Sequence, residues 1–210
     1  MSAVADKSVD RISRRQIDKF TERRDQLAEA ALHTLSELGY ARTSLREIAQ
    51  NSEFSHGVLH YYFRDKVDLI THCVKFYKAR CVTRYDDVVA TAQTPEELEA
   101  GFGAAMTATL REEGTMHRLW YDLRVQSMFE ESFRADVAEI DKSLENMIWR
   151  IVTRYAELQG SEPTVSSSVM YALFDGLFQQ SLLAYLSGDE DAANTLALKV
   201  KTVLLRVIPA

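Results

Sequence analysis

Two short segments only a few residues apart constrain this chain more than any other feature: 43–49, Thr-Ser-Leu-Arg-Glu-Ile-Ala, and 55–63, Ser-His-Gly-Val-Leu-His-Tyr-Tyr-Phe. In the first, Leu45, Ile48 and Ala49 fall at the i, i+3, i+4 spacing of one buried helix face, and Thr43 or Ser44 offers a capping oxygen. After the polar break 51–53, a second helix opens with Ser55 as its N-cap and buries Val58, Leu59, Tyr62 and Phe63. Its other face carries Ser55, His56, His60 and Tyr61. Two short helices joined by a tight turn, the second presenting hydrogen-bonding groups from its first turn, match what the major groove of DNA admits. The expected fold is all-α with a helix-turn-helix, and the expected partner is double-stranded DNA.

The segment 24–69 resembles the N-terminal domain of TetR-type transcriptional regulators, over about a quarter of the chain. The motif consists of Gly39-Tyr40, Thr43, Ser44, Glu47, Ile48 and Ala49, then Ser55, Gly57, Leu59, Tyr62, Phe63 and Lys66. Two positions depart from it: His60 stands where the family has Tyr, and Ser52-Glu53-Phe54 replaces Ala-Gly-Val in the turn. Glu53 in a left-handed turn would cost about 1 kcal/mol. The run 60–66 is similar to the choline-responsive, BetI-like subgroup. The resemblance implies DNA contacts from Thr43, Ser44, Arg46, Ser55, His56, Gly57, His60, Tyr61, Tyr62 and Lys66. It also implies a homodimer with a small-molecule effector, acting as a repressor on a palindromic operator.

The net charge of −6 alone argues against a nucleic-acid partner, but its distribution does not. Residues 1–85 hold 15 Lys and Arg against 11 Asp and Glu; the remainder holds 10 against 20. One end suits phosphate and the other repels it. Residues 1–19 lack the apolar run of a signal peptide, and no segment reaches a membrane span, so the expected location is cytoplasmic, with no membrane partner. Cys73 and Cys81 lie about 12 Å apart along one helix, too far to pair, and fit a reducing compartment.

The helical pattern divides the chain into a basic, flexible N-terminal arm (1–18), a helix-turn-helix domain (19–65) and a ligand-binding and dimerisation domain (66–210). A first helix over about 19–38 ends at Gly39, and a helix starting near Asp65-Lys66 leads out of the DNA-binding unit. Thr94-Pro95-Glu96-Glu97 opens the next helix with an N-cap, a proline at the first position and a capping-box Glu; Gly114 breaks it. Helices follow at 116–129, 132–159, 164–187 and 190–207.

The 164–187 helix is apolar on two faces, so it must be covered twice. Its small-residue side and the final helix predict a dimer interface of Val169, Ala172, Gly176, Leu183, Leu196, Val200 and Val203. The resemblance, whose members dimerise through their last two helices, favours this over a monomeric core. An aromatic and methionine supply predicts a pocket of Phe102, Met106, Trp120, Tyr121, Phe129, Trp149, Tyr171, Phe174 and Phe178, with Arg124, Gln126 and Gln179 as polar groups. The BetI-like run suggests a quaternary ammonium effector, whereas an inward Arg124 would favour a carboxylate. Catalysis finds no phosphate loop, nucleophile elbow or activated nucleophile. His56 and His60 have metal-ligand spacing, but Gly57 stands where a zinc protease helix needs Glu; no metal or cofactor is expected. The alternatives are an all-helical enzyme and a protein-binding adaptor built on the apolar cavity.

Overall fold

A computed structural model describes residues 2–207, and the side chains of residues 16–206. All regular structure among the described residues is helical. The chain forms two compact units, residues 1–77 and 78–210.

The first unit contains α1 (Ser2–Arg42), α2 (Leu45–Gln50), α3 (His56–Tyr62) and most of α4 (Lys66–Cys81). Leu27, Ala28, Ala31 and Leu35 of α1 pack with Ile48, Leu59, Phe63, Leu69 and Ile70, all at most 1% exposed. The sequence places the start of α1 near residue 19, whereas the helix begins at Ser2; the arm expected over 1–18 falls on its first turns, and its side chains to residue 15 lie outside the described residues. Gly39 interrupts the helical path with φ 74°, a conformation in which any Cβ would be strained, and turns the chain toward α2. Ser44 caps α2 by accepting from the Glu47 amide at 3.2 Å, and Ser55 caps α3 by accepting from Val58 at 3.3 Å. Glu53 is not left-handed and avoids that cost: every described residue with positive φ is a glycine. The turn closes instead through side chains, with Ser52 Oγ accepting from the Phe54 amide at 3.3 Å.

Arg24 of α1 is tied to Asp68 of α4 at 2.7 Å. Burial opposes the Asp68 charge, but the Arg64 amide and the Arg24 guanidinium outweigh it and hold the carboxyl below its ordinary range.

The second unit holds the end of α4, then α5 (Asp86–Thr91), α6 (Pro95–Gln126), a 3-10 turn (Glu131–Phe133), α7 (Arg134–Gln159), α8 (Ser167–Leu186) and α9 (Ala192–Val207). Thr94 caps α6 as its sequence predicts, accepting from Glu97 at 3.2 Å. The helix does not end at Gly114; it kinks at Glu113 (φ −125°, ψ 18°) and continues. One glycine weakens a helix by only about 1 kcal/mol, which packing can outweigh. Here a Cβ on Gly114 would lie 3.2 Å from Leu182 of α8, so the glycine admits close contact rather than a stop.

Helix α9 packs on α6 and α8, and its Ala193, Leu196, Val200 and Leu204 are fully buried. A Cβ on Gly103 would sit 3.4 Å from Ala197, and Thr107 donates to the Ala193 carbonyl at 3.0 Å. Short α5 buries no side chain and so leaves no apolar period in the sequence. It is held from outside by Arg150, which donates to Asp86 at 2.7 Å.

Candidate functional site

The two parts of the chain that carry chemistry are the surface of α3 and a cavity in the second unit. On α3, Ser55, His56, Gly57, His60 and Tyr61 are exposed, Tyr61 at 73%. The His56 and His60 rings meet edge to face at 4.4 Å. Tyr62 is half-buried, its ring 4.8 Å from that of Phe20, which is 40% exposed. Lys66, at the start of α4, holds its ammonium 4.1 Å from the centroid of Tyr40. Arg46 and Ser44 are exposed on and beside α2.

Thr43 is a correction. Its side chain is 2% exposed and its hydroxyl donates to the Gly39 carbonyl at 2.7 Å, so it stabilises the turn and does not present a donor to a phosphate. Its burial follows from the Gly39 turn, which sequence spacing does not encode.

In the second unit, Met106, Trp120, Tyr121, Tyr171, Phe174 and Phe178 come together around a mostly apolar cavity of about 50 Å³, as the aromatic supply predicts. Phe102 is fully buried against Phe174 and Tyr85 as plain core. Trp149 is half-buried and lies off the cavity wall. Phe129 is 79% exposed and cannot line it, since it follows the end of α6 in the connection to the 3-10 turn. Gln126 bonds Asp122 at 3.4 Å, and Gln179 borders a separate groove with Arg118 and Leu183.

Arg124 does not supply the cavity cation either. It donates to Asp175 at 2.5 Å and lies 3.4 Å from Asp141. Tyr121 donates to Asp175 at 3.1 Å and Tyr171 to Asp141 at 2.6 Å, so two carboxylates absorb the guanidinium and both phenols. Burial, with the Asp175 charge added, pushes both phenols well above their ordinary range.

The lining cation is Lys78, at the end of α4 and only 2% exposed. Its Nζ lies 3.4 Å from His117 Nδ1, which accepts, and 5.2 Å from the Trp120 ring centroid. Burial lowers the Lys78 ammonium to about 8. Burial, then the Lys78 and Arg84 charges, lowers His117 well below its ordinary range and keeps it neutral. The signal for Lys78 was present: it continues the Ile70, Val74 and Cys81 face of α4, where a lysine interrupts an apolar row.

Cys81, Glu113 and His117 bring ligand atoms within 4.8 Å of one another. Arg84 donates to both Cys81, at 3.6 Å, and Glu113, at 2.5 Å, and Lys78 stands beside His117, so two cations occupy the ground an ion would need. Both cysteines are free and buried.

The interface residues expected on α8 face outward: Val169 is 46% exposed and Leu183 69%, Ala172 is exposed and Gly176 half-buried with open space above it. Leu196 and Val200 do not join them, because both are already fully buried within the unit, where α9 packs on α6 and α8; Val203 is half-buried. The outward apolar residues of α9 are Leu198 and Leu205.

A capped two-helix turn with a polar, aromatic recognition face defines a helix-turn-helix DNA-binding regulator. The description of bacterial regulatory proteins of the tetR family matches residues 27–73. HTH-type transcriptional regulator PksA of Bacillus subtilis (strain 168) is 25% identical over 170 residues, 80% of this chain and 82% of that protein. BetI of Paraburkholderia phytofirmans is 42% identical over 48 residues, 23% of this chain and 25% of that one. Among solved structures, FadR from Bacillus subtilis in complex with stearoyl-CoA superposes with TM-score 0.70 at 19% identity, over 87% of this chain and 98% of that chain. A TetR-family regulator from a Rhodococcus species gives 0.69 at 18%, over 88% and 99%. Residues 27–73 carry the N-terminal domain of tetR-type regulatory proteins, and the chain is similar to a transcriptional regulator over four fifths of its length. These relatives are regulators and not enzymes, which sets the enzyme alternative aside. Among the described residues, no helix is long and apolar enough to cross a membrane.

Proposed function

We propose that the chain works as a cytoplasmic homodimeric repressor, released from a palindromic operator by a small molecule held in the second unit. The observation that carries this reading is the α3 surface, where His56, Gly57, His60 and Tyr61 stand clear of the fold on a helix capped at both ends. Ser55, His56, Gly57, His60 and Tyr61 approach base edges, while Ser44, Arg46, Tyr62 and Lys66 hold phosphates. The outward faces of α8 and α9 pair two copies, so that their α3 helices enter successive major grooves about one helical turn apart.

Helix α4 begins with Lys66 and ends beyond Lys78 of the cavity wall. A ligand that prefers a different setting of α4 lowers operator affinity by the factor of its preference. The complex of FadR with stearoyl-CoA supports a ligand site in a bundle of this fold. The likeness to BetI is confined to the DNA-binding quarter and carries no weight for the cavity. Selection of bound duplexes from a random pool, followed by footprinting, tests the reading: a two-fold symmetric site protected by the wild-type protein is expected, and recovery of no preferred sequence would overturn it.

A further inference from the structure

The cavity is apolar over most of its wall, with one sharply polar end. There Lys78 and Trp120 lie side by side, both at most 2% exposed. The Trp120 indole N–H is buried and has no hydrogen-bond acceptor among the described residues. Leaving such a donor unmet is costly, and an acceptor from outside removes the cost. Lys78 Nζ is 5.2 Å from the Trp120 ring centroid, so a carboxylate that accepts from Lys78 lies close to the indole as well.

The charges around this end favour the same sign of ligand. Asp175 is the carboxylate on the cavity wall, and its two oxygens accept from Tyr121 and Arg124. His117 is neutral, and the phenols of Tyr85, Tyr121 and Tyr171 are held protonated by burial. Arg84 and Glu113 neutralise each other beside it. A cation entering here meets Lys78 at low dielectric, and the nearest carboxylate is already engaged. An anion meets a lysine and an indole N–H.

We propose that the effector is an apolar molecule carrying a carboxylate, its anionic end seated between Lys78 and Trp120 and its body among Met106, Leu144, Phe174 and Phe178. This rests on the reading of the second unit as an effector site. The cavity is small, about 50 Å³, so a larger body requires the flexible Met106 and Met147 side chains to shift, which methionines do readily.

The test holds the body constant and varies the head. Octanoate, 1-octanol and octyltrimethylammonium, and the matching series benzoate, benzyl alcohol and benzyltrimethylammonium, are titrated calorimetrically into the full-length protein. The expected result is a carboxylate preference of about tenfold or more over the alcohol, with the ammonium compound weakest. Lys78→Met should abolish that preference while leaving alcohol binding in place. Trp120→Phe, which keeps the ring and removes the N–H, should reduce it several-fold; it serves as the second variant if Lys78→Met fails to fold. Equal binding of alcohol and carboxylate, or stronger binding of the ammonium compound, would overturn the anionic effector and leave the effector site standing. No binding of any of the six at millimolar concentration would overturn the site reading itself, and this proposal with it.

Discussion

The ammonium of Lys66 rests 4.1 Å from the centroid of the Tyr40 ring. Tyr40 is delivered to that place by the Gly39 turn, so a motif at the end of α1 orders the side chain that opens α4. A lysine already ordered loses less entropy when it grips a phosphate. Lys66→Ala should therefore weaken binding to every duplex alike and lower the salt slope by about one unit per lost phosphate contact. Tyr40→Leu should weaken binding less and leave the salt slope unchanged. Fluorescence titrations at several salt concentrations check both, and an unchanged slope in Lys66→Ala would take Lys66 out of the interface.

Gly57 lies one residue inside α3, and a Cβ added there meets only Ser55 Oγ, at 4.0 Å. Gly57→Leu should therefore leave the fold intact, with an unchanged circular dichroism spectrum, while its side chain holds the helix off the groove. Loss of the footprint on the selected operator is expected. A normal footprint would mean that another face of α3 reads the DNA.

How far the sequence carries can be read from particular residues. Ser44, Ser55 and Thr94 cap helices as their spacing predicts, because capping is a local interaction between a side chain and an amide three residues on. The apolar row on α3 likewise places His56, His60 and Tyr61 outside. Tertiary neighbours decided the rest. Leu196 and Leu183 look alike in a helical pattern, yet the first is fully buried inside the unit and the second is exposed. Arg124 does not take its expected place in the cavity because Asp175 and Asp141 capture it, and Lys78, which the pattern leaves unassigned, lines the wall instead. Gly103, which admits α9 against α6, has no local signature at all.

His117 makes the stability of the second unit sensitive to acid. Burial, reinforced by Lys78 and Arg84, lowers its folded pKa below the unfolded value of about 6.5, so the unfolded chain binds the extra proton first. Stability is then present above pH 6.5 and lost as pH falls, at up to about 1.4 kcal/mol per pH unit for this one group. His72, in the first unit, is lowered as well, mainly by burial, and gives that unit a loss of the same sign. Urea melts of His117→Gln between pH 7 and pH 5 should show a shallower decline than the wild type. Identical slopes would mean that His117 takes up its proton without cost in the folded state.

Gly176 tests the pairing surface. It is half-buried on the outward side of α8 with nothing within 4 Å of an added Cβ, so an arginine there meets no obstacle inside one chain. Between two copies, the same side chain would place a charge in an apolar contact with Val169 and Leu183, both exposed in the single chain. Gly176→Arg should thus give a folded monomer by sedimentation, with operator affinity reduced because the two half-sites no longer share one ligand. Leu196→Ala supplies the contrast. Its side chain is fully buried inside the unit, so it should cost about 2–5 kcal/mol of stability through the cavity it leaves, and the protein that remains folded should still pair. A stable, dimeric Gly176→Arg variant would move the interface off α8, toward the exposed Val125, Met128 and Phe129 at the far end of α6.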